Sequence, residues 1–229
     1  MEGITDKLKI NDFTSLSQLK RKFRSYLEDQ GCDDIKQSDF PRTLVYVLVM
    51  LLEEILSDCL KLVTKDSDGK HAGCYVINLL ILHNSLSDIT KYDFLIKYGR
   101  KYNNKIRYQE SLFFNVKKVF DSLETKYGEK LMIDQETRNY ITYLLLSLQY
   151  DITDLCVRAI KFANKKTLNK NALMCMLGNY MNDGVMKKFQ LKLDSLMSSK
   201  DTDAEVDDNT EDDDKIVETD KENDETVEA

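Results

Sequence analysis

The sequence predicts an all-α fold of two tandem units, each a short, a long and a short helix, followed by a disordered acidic tail. Three observations carry this. The 229 residues include 8 Gly, 1 Pro and no Trp, too little turn chemistry for an all-β sandwich or a dinucleotide-binding α/β sheet. Two segments, 43–65 and 134–163, are long, apolar at helical spacing and free of Gly and Pro. Shorter amphipathic segments precede and follow each, and the plan recurs after about 90 residues.

In chain order, Ser15–Asp29 is the first short helix, with Leu16, Leu19, Phe23, Tyr26 and Leu27 on its apolar face. In 43–65, Leu44, Val47, Leu48, Leu51, Ile55, Cys59 and Leu62 form one stripe and Val45, Leu52, Leu56 and Leu60 a second, so this helix is buried on several sides. Pro41 lies near its start, where a missing N–H costs least. Asp66–Gly69 end it, and Cys74–His83 reads as a short buried helix. Residues 84–106 connect the units, with Tyr92, Phe94, Leu95 and Ile96 packed and 99–104 looser. The second unit opens with a helix over 109–123, carried by Leu112, Phe113, Val116, Val119, Phe120 and Leu123. Asp134, or alternatively Thr137, caps the second long helix, whose buried stripe is Ile141, Leu144, Leu145, Leu148, Ile152, Leu155, Cys156, Ala159, Ile160 and Ala163. Asn164–Thr167 break it, Ala172–Tyr180 is short and apolar, and Val185–Met197 is a final amphipathic helix. The implied division is 13–90, a linker over 91–106, 107–198, and a tail over 199–229.

Charge divides the chain in two. Of its 33 Lys and Arg and 40 Asp and Glu, 3 and 15 fall in 200–229, which leaves 30 basic against 25 acidic residues, or +5, for 1–199. The tail is too poor in apolar residues to offset its ordering entropy, so disorder is expected. A solubilising role or a polyanion that competes with nucleic acid both fit it. MEGITDKLKINDF contains no signal-peptide core, and no apolar run reaches the roughly 18 residues of a membrane span, so no membrane partner is expected. Five unpaired Cys point to an intracellular reducing compartment.

Cys156–Leu177, CVRAIKFANKKTLNKNALMCML, resembles without a gap the end of the long helix, second loop and third helix of core histones. Tyr108–Phe120 and the helix over 185–197 are similar to the first and C-terminal helices of histone two-B. Leu44–Leu56, LVYVLVMLLEEIL, and Leu19–Leu27, LKRKFRSYL, are similar to histone two-A. Unlike the second, the first half's second loop, 65–73, carries no Lys-Lys-Thr. Over 15–197 the chain thus resembles a histone doublet, such as those of large DNA viruses. The resemblance implies two tandem histone folds packed as an intramolecular handshake pair.

It also implies sequence-nonspecific binding of duplex DNA through phosphates, by paired loops and the N-termini of first helices. The residues so assigned are Lys20, Arg21, Lys22 and Arg24 on the first helix, and Lys65 and Lys70, with His71, on its second loop. Lys105 and Arg107, with Lys101, enter the second unit. Lys126 and Lys130 lie on that unit's first loop, and Lys165, Lys166, Thr167 and Lys170 on its second. Glu54 falls at one residue of the family's surface acidic patch, and with Glu53 it is assigned to partner binding. Expected partners are DNA and other histone-fold proteins, in a nucleosome-like particle, with location in chromatin or in a virion and viral factory.

Other chemistry is not expected. Cys59, Cys156 and Cys175 fall in apolar stripes and read as small core residues. His71 and Cys74 lack a second pair for zinc, and Asp66, Asp68 and Gly69 lack the remaining ligands of a calcium loop. No phosphate loop, acid–base pair or nucleophile motif is present, so no enzyme, metal, cofactor or small-molecule substrate is expected. The competing reading is an interaction or chaperone-like protein that docks histone-fold or transcription proteins, its tail imitating DNA.

Overall fold

The computed structural model describes residues 13–63, 74–102, 112–127 and 131–198. Residues up to Ser198 form one compact unit and 199–229 a second, so the acidic tail lies outside the described residues.

α1 (Leu16–Asp29) begins where the Ser15 hydroxyl accepts the Gln18 N–H at 3.2 Å. It ends at Gly31, whose φ of +61° reverses the chain. β1 (Lys36–Gln37) follows. α2 (Phe40–Leu62) starts slightly earlier than the spacing predicts, because Pro41 suits a helical first turn. Every residue from Thr43 to Leu52 is buried, in a stretch with no charged side chain. The helix expected over 74–83 is instead β2 (Tyr75–Ile77) and then α3 (Leu79–Leu86). An aromatic and two β-branched residues favour extension, and the Asn78 side chain caps the helix by accepting the Ile81 N–H at 3.0 Å.

The connecting segment is itself a helix, α4 (Ile89–Gly99), which buries Tyr92, Phe94, Leu95 and Tyr98. α5 (Val116–Tyr127) begins and ends later than expected. Asn115 stops it from extending backwards: its side chain caps the Lys118 N–H (3.3 Å) and its own N–H donates to the Phe13 carbonyl (3.0 Å). β3 (Leu131–Ile133) leads to α6 (Gln135–Phe162), where Asp134 is the cap and Thr137 supplies the N–H it accepts, at 2.7 Å. β4 (Thr167–Leu168), α7 (Lys170–Leu177) and α8 (Asp183–Ser198) complete the described chain. Cys59 and Cys156 are buried as expected, whereas Cys175 is exposed, on the outer face of α7.

The halves are interleaved. β1 pairs in parallel with β4, and β2 in parallel with β3. Each pair joins the loop before one long helix to the loop after the other. The long helices α2 and α6 pack on each other, α7 reaches α2, and α3 reaches α6. The fourth helices also cross over: α4 packs on α6 and α8 on α2. One hydrophobic core therefore runs through both halves, from Phe23 and Phe40 to Leu173 and Leu193. The chain repeats a four-helix plan, α1–α4 and α5–α8, and the last helix of each set braces the long helix of the other.

Candidate nucleic-acid interface

The pairing of β1 with β4 brings together Lys36, Lys165, Lys166 and Thr167, all exposed. The loop is fixed by its backbone. Asn164 takes the left-handed conformation (φ 52°), and the Lys165 N–H donates to Ile160 O at 2.8 Å. The Lys36 N–H donates to Lys166 O at 2.7 Å, and the Ser38 N–H to Leu168 O at 3.0 Å. This backbone network leaves the lysine side chains pointing to solvent. Lys166 pairs with Asp34 at 3.5 Å, but both groups are well exposed and the pairing is weak.

A second cationic place lies where α1 and α5 begin side by side. The Asn115–Phe13 hydrogen bond and an edge-on Phe13–Phe114 ring pair (6.5 Å) hold the two helix starts together. Between them is an open recess of about 580 Å³ whose lining includes Ser15, Gln18, Lys22, Asn115, Lys117 and Lys118. Two helix N-termini and three lysines make its potential positive, the condition for holding phosphate oxygens.

The assigned residues separate into three groups. Lys20, Arg21, Lys22, Lys165, Lys166 and Thr167 are exposed on α1 and the α6–α7 loop. Arg24 and Lys170 are engaged within the chain. Arg24 donates to Asp33 O (2.9 Å) and Ile35 O (3.4 Å) and pairs with Glu28 (2.9 Å), which clamps the loop before β1. Lys170 pairs with Asp194 of α8 at 2.5 Å. Lys65, Lys70, His71, Lys105, Arg107 and Lys130 lie outside the described residues, and Lys126 falls in the last turn of α5 rather than on a loop. Lys36, Lys117 and Lys118 were not anticipated. Lys117 and Lys118 follow a capping Asn, a local signal of a helix start that the apolar run over 109–123 obscures.

Glu53 and Glu54 are also paired internally. Glu53 meets Lys192 (3.3 Å), and Glu54 meets Lys188 and Lys91 (2.6 Å to the latter). Burial raises the Glu54 pKa, but the Lys188 and Lys91 hydrogen bonds outweigh this and hold it below the usual range. Nearby, Asp58 accepts from Lys61, Lys91 and the Tyr92 hydroxyl (2.6 Å for Lys61 and Tyr92), and against the effect of burial these bonds hold its carboxyl at about 2. No protein-family model matches the sequence, and no curated protein matches it.

Proposed function

We propose that the protein is a histone-like architectural protein, a fused histone-fold pair that binds duplex DNA without sequence preference. The observation that carries this is the reciprocal parallel pairing of β1 with β4 and β2 with β3 across two interleaved helical sets. The β1–β4 pair presents backbone and lysines from both halves, and the start of α1 and α5 adds a recess with Lys22, Lys117 and Lys118. Fusion replaces the meeting of two chains by an intramolecular event at high effective concentration. The wider proposal is that the pair joins a second histone-like pair to compact a genome, in chromatin or in a virion.

Binding to a random-sequence duplex across a salt series tests this. If about six phosphates are neutralised, the slope of log affinity on log salt is about −5. Lys165→Ala with Lys166→Ala should flatten it by about 2, uniformly across sequences. Absence of binding at low salt, both for the full chain and for the compact unit ending at Ser198, overturns the reading.

The low charge of +5 on residues 1–199 and the fifteen acids that follow favour a second reading. In it the protein docks basic, histone-fold partners and its tail imitates DNA. Removal of 199–229 separates the two: strengthened DNA binding supports the first, and lost binding of a basic partner supports the second.

A further inference from the structure

Cys32 lies in the loop that joins α1 to β1. It is 2% exposed, while its neighbours Gly31, Asp33 and Asp34 are exposed, so the sulfur sits just beneath the surface. Its thiol donates to the Gln30 carbonyl at 3.3 Å, which leaves the sulfur lone pairs free to accept. Lys161, exposed in the last turn of α6, donates from Nζ to that sulfur at 3.0 Å. The two residues are 129 apart in sequence, so this contact joins the two halves. Both stand on fixed backbone. Arg24 holds the Cys32 loop by donating to Asp33 O (2.9 Å) and Ile35 O (3.4 Å). The end of α6 is closed by the Lys165 N–H, which donates to Ile160 O at 2.8 Å.

The other cysteines are placed differently. Burial pushes the Cys59 thiol up to about 11 and the Cys156 thiol up to about 12, so neither is a nucleophile near neutral pH. Among the described contacts, Cys32 is the cysteine whose sulfur meets a cation. The thiolate is the form that peroxides oxidise, and an adjacent ammonium compensates its charge. Once sulfur is oxidised it becomes an electrophile, and the nearest nitrogen is that of Lys161. The flexible four-carbon stem of a lysine lets the nitrogen close the remaining distance.

We propose that Cys32 and Lys161 form an oxidation-sensitive cross-link, a sulfenamide bond between Sγ and Nζ that ties the loop before β1 to the end of α6. The oxidant is a peroxide. The Cys32 thiolate attacks one peroxide oxygen, and the O–O bond breaks. Sulfur becomes a sulfenic acid, and the departing hydroxide takes a proton from the Lys161 ammonium and leaves as water. The neutral Lys161 amine then attacks the sulfur. The N–S bond forms, the S–O bond breaks, and the second hydroxide takes a proton from nitrogen. Sulfur gives up two electrons, and the peroxide is reduced to two waters. Two equivalents of a thiol reverse the bond, restoring the Cys32 thiol and the Lys161 amine and forming a disulfide. The cross-link flanks the β1–β4 pair and does not depend on the DNA reading.

The test treats the full chain with hydrogen peroxide, alkylates the remaining thiols under denaturing conditions and maps tryptic peptides by mass spectrometry. The expected product is a pair of peptides joined through Cys32 and Lys161, lighter by two hydrogens than its parts and separated by dithiothreitol. Closing so long a loop should raise the melting temperature by about 10 °C, and dithiothreitol should cancel the rise. Lys161→Arg, at an exposed position, keeps a cation beside the sulfur but offers no amine. It should give no joined peptides and no rise, and its Cys32 should stop at a sulfenic acid that dimedone captures. The proposal is overturned if Cys32 remains an alkylatable thiol after the exposed Cys175 has been oxidised. It is also overturned if Cys32 passes to a disulfide or a sulfinic acid equally in wild type and in Lys161→Arg. The peptide map is read without DNA, so failure here is distinct from failure of the DNA reading.

Discussion

α4 carries the same two-residue device twice. Lys91 and Tyr92 both donate to Asp58 of α2, and Lys97 (2.8 Å) and Tyr98 (2.5 Å) both donate to Asp151 of α6. Six residues turn a helix through about 600°, so the two pairs leave α4 about 120° apart and one helix reaches two others. One difference lies in shielding. At the first knot the side chains of Lys91, Glu54 and Asp58 are 16–18% exposed, whereas Lys97 and Asp151 are 48% and 39% exposed. The Lys-Tyr-Asp device is shared, but the first knot also holds a second acid, Glu54, and the further lysines Lys61 and Lys188, so shielding and the added charges together separate the two settings.

The largest expected effect breaks the shielded knot. Lys91→Met leaves Glu54 and Asp58 short of their common partner and should cost about 3 kcal/mol. Lys97→Met, at the open knot, should cost about 1 kcal/mol or less. Urea unfolding of both variants measures the contrast. Equal losses would mean that neither burial nor the added charges set a difference.

The next effect probes the end of α4 nearest the open knot. A Cβ on Gly99 would lie 2.1 Å from the Tyr140 hydroxyl. Tyr140 is held by Tyr102 (4.8 Å between rings) and His83 (5.2 Å), so it has little freedom to retreat. Gly99→Ala should therefore cost about 2 kcal/mol, and Tyr140→Phe in the same chain should recover part of it. A thermal melt of the single and double variants decides the matter.

These two knots also show what the sequence could and could not yield. The apolar stripes of α2 and α6 are long enough for their periodicity to place them, and Asp134 announces its helix as a cap. The linker helix was not legible. Tyr92, Phe94, Leu95 and Ile96 were visible as packed residues, whereas Tyr98, which is buried in place of the half-buried Ile96, was not, because their use depends on α6, which lies more than thirty residues on. Nothing local singles out Lys91 and Lys97, because their partners come from other elements. For the same reason Glu53 and Glu54 read as open acids when α8 supplies their counter-ions. At the candidate site, Lys165 and Lys166 were legible from their loop. Lys117 and Lys118 were hidden, because the apolar run over 109–123 obscures the local cap at Asn115, and the second contact of Asn115, with Phe13, is a tertiary one.

Acid titration compares the knots a third way. The Asp58 carboxyl is held at about 2, below its unfolded value near 3.8. A group with a depressed folded pKa stabilises fully above the unfolded value and loses that contribution as pH falls through the folded one. Stability should therefore decline between about pH 4 and pH 2, by at most about 2 kcal/mol from this group and less after solvent screening. Burial opposes the Asp151 shift, while Lys97 and Tyr98 lower it, in the same direction but in a more open place. Asp58→Asn should flatten the acid limb more than Asp151→Asn does, as followed by circular dichroism of urea midpoints against pH.

The smallest effect links the helix caps to the proposed DNA contacts. Asp134 accepts the Thr137 N–H at 2.7 Å, and Ser15 accepts the Gln18 N–H at 3.2 Å in a more exposed place. Asp134→Ala should cost about 1 kcal/mol and Ser15→Ala about 0.5 kcal/mol. Ser15 borders the recess between α1 and α5, so a phosphate bound there can accept the N–H groups that the lost hydroxyl leaves open. On this reasoning the Ser15→Ala deficit in melting temperature should shrink when duplex DNA is added. The Asp134→Ala deficit has a different origin. Asp134 lies beside β3, where its N–H donates to the Ile77 carbonyl at 3.2 Å, and its carboxylate would repel a nearby phosphate. Its removal should therefore leave duplex affinity unchanged or slightly stronger, while the cap loss remains. Melts of the two variants with and without duplex compare the recess with the β2–β3 loop pair. A Ser15→Ala deficit indifferent to DNA would place the phosphates on the loops and not between the two helix starts.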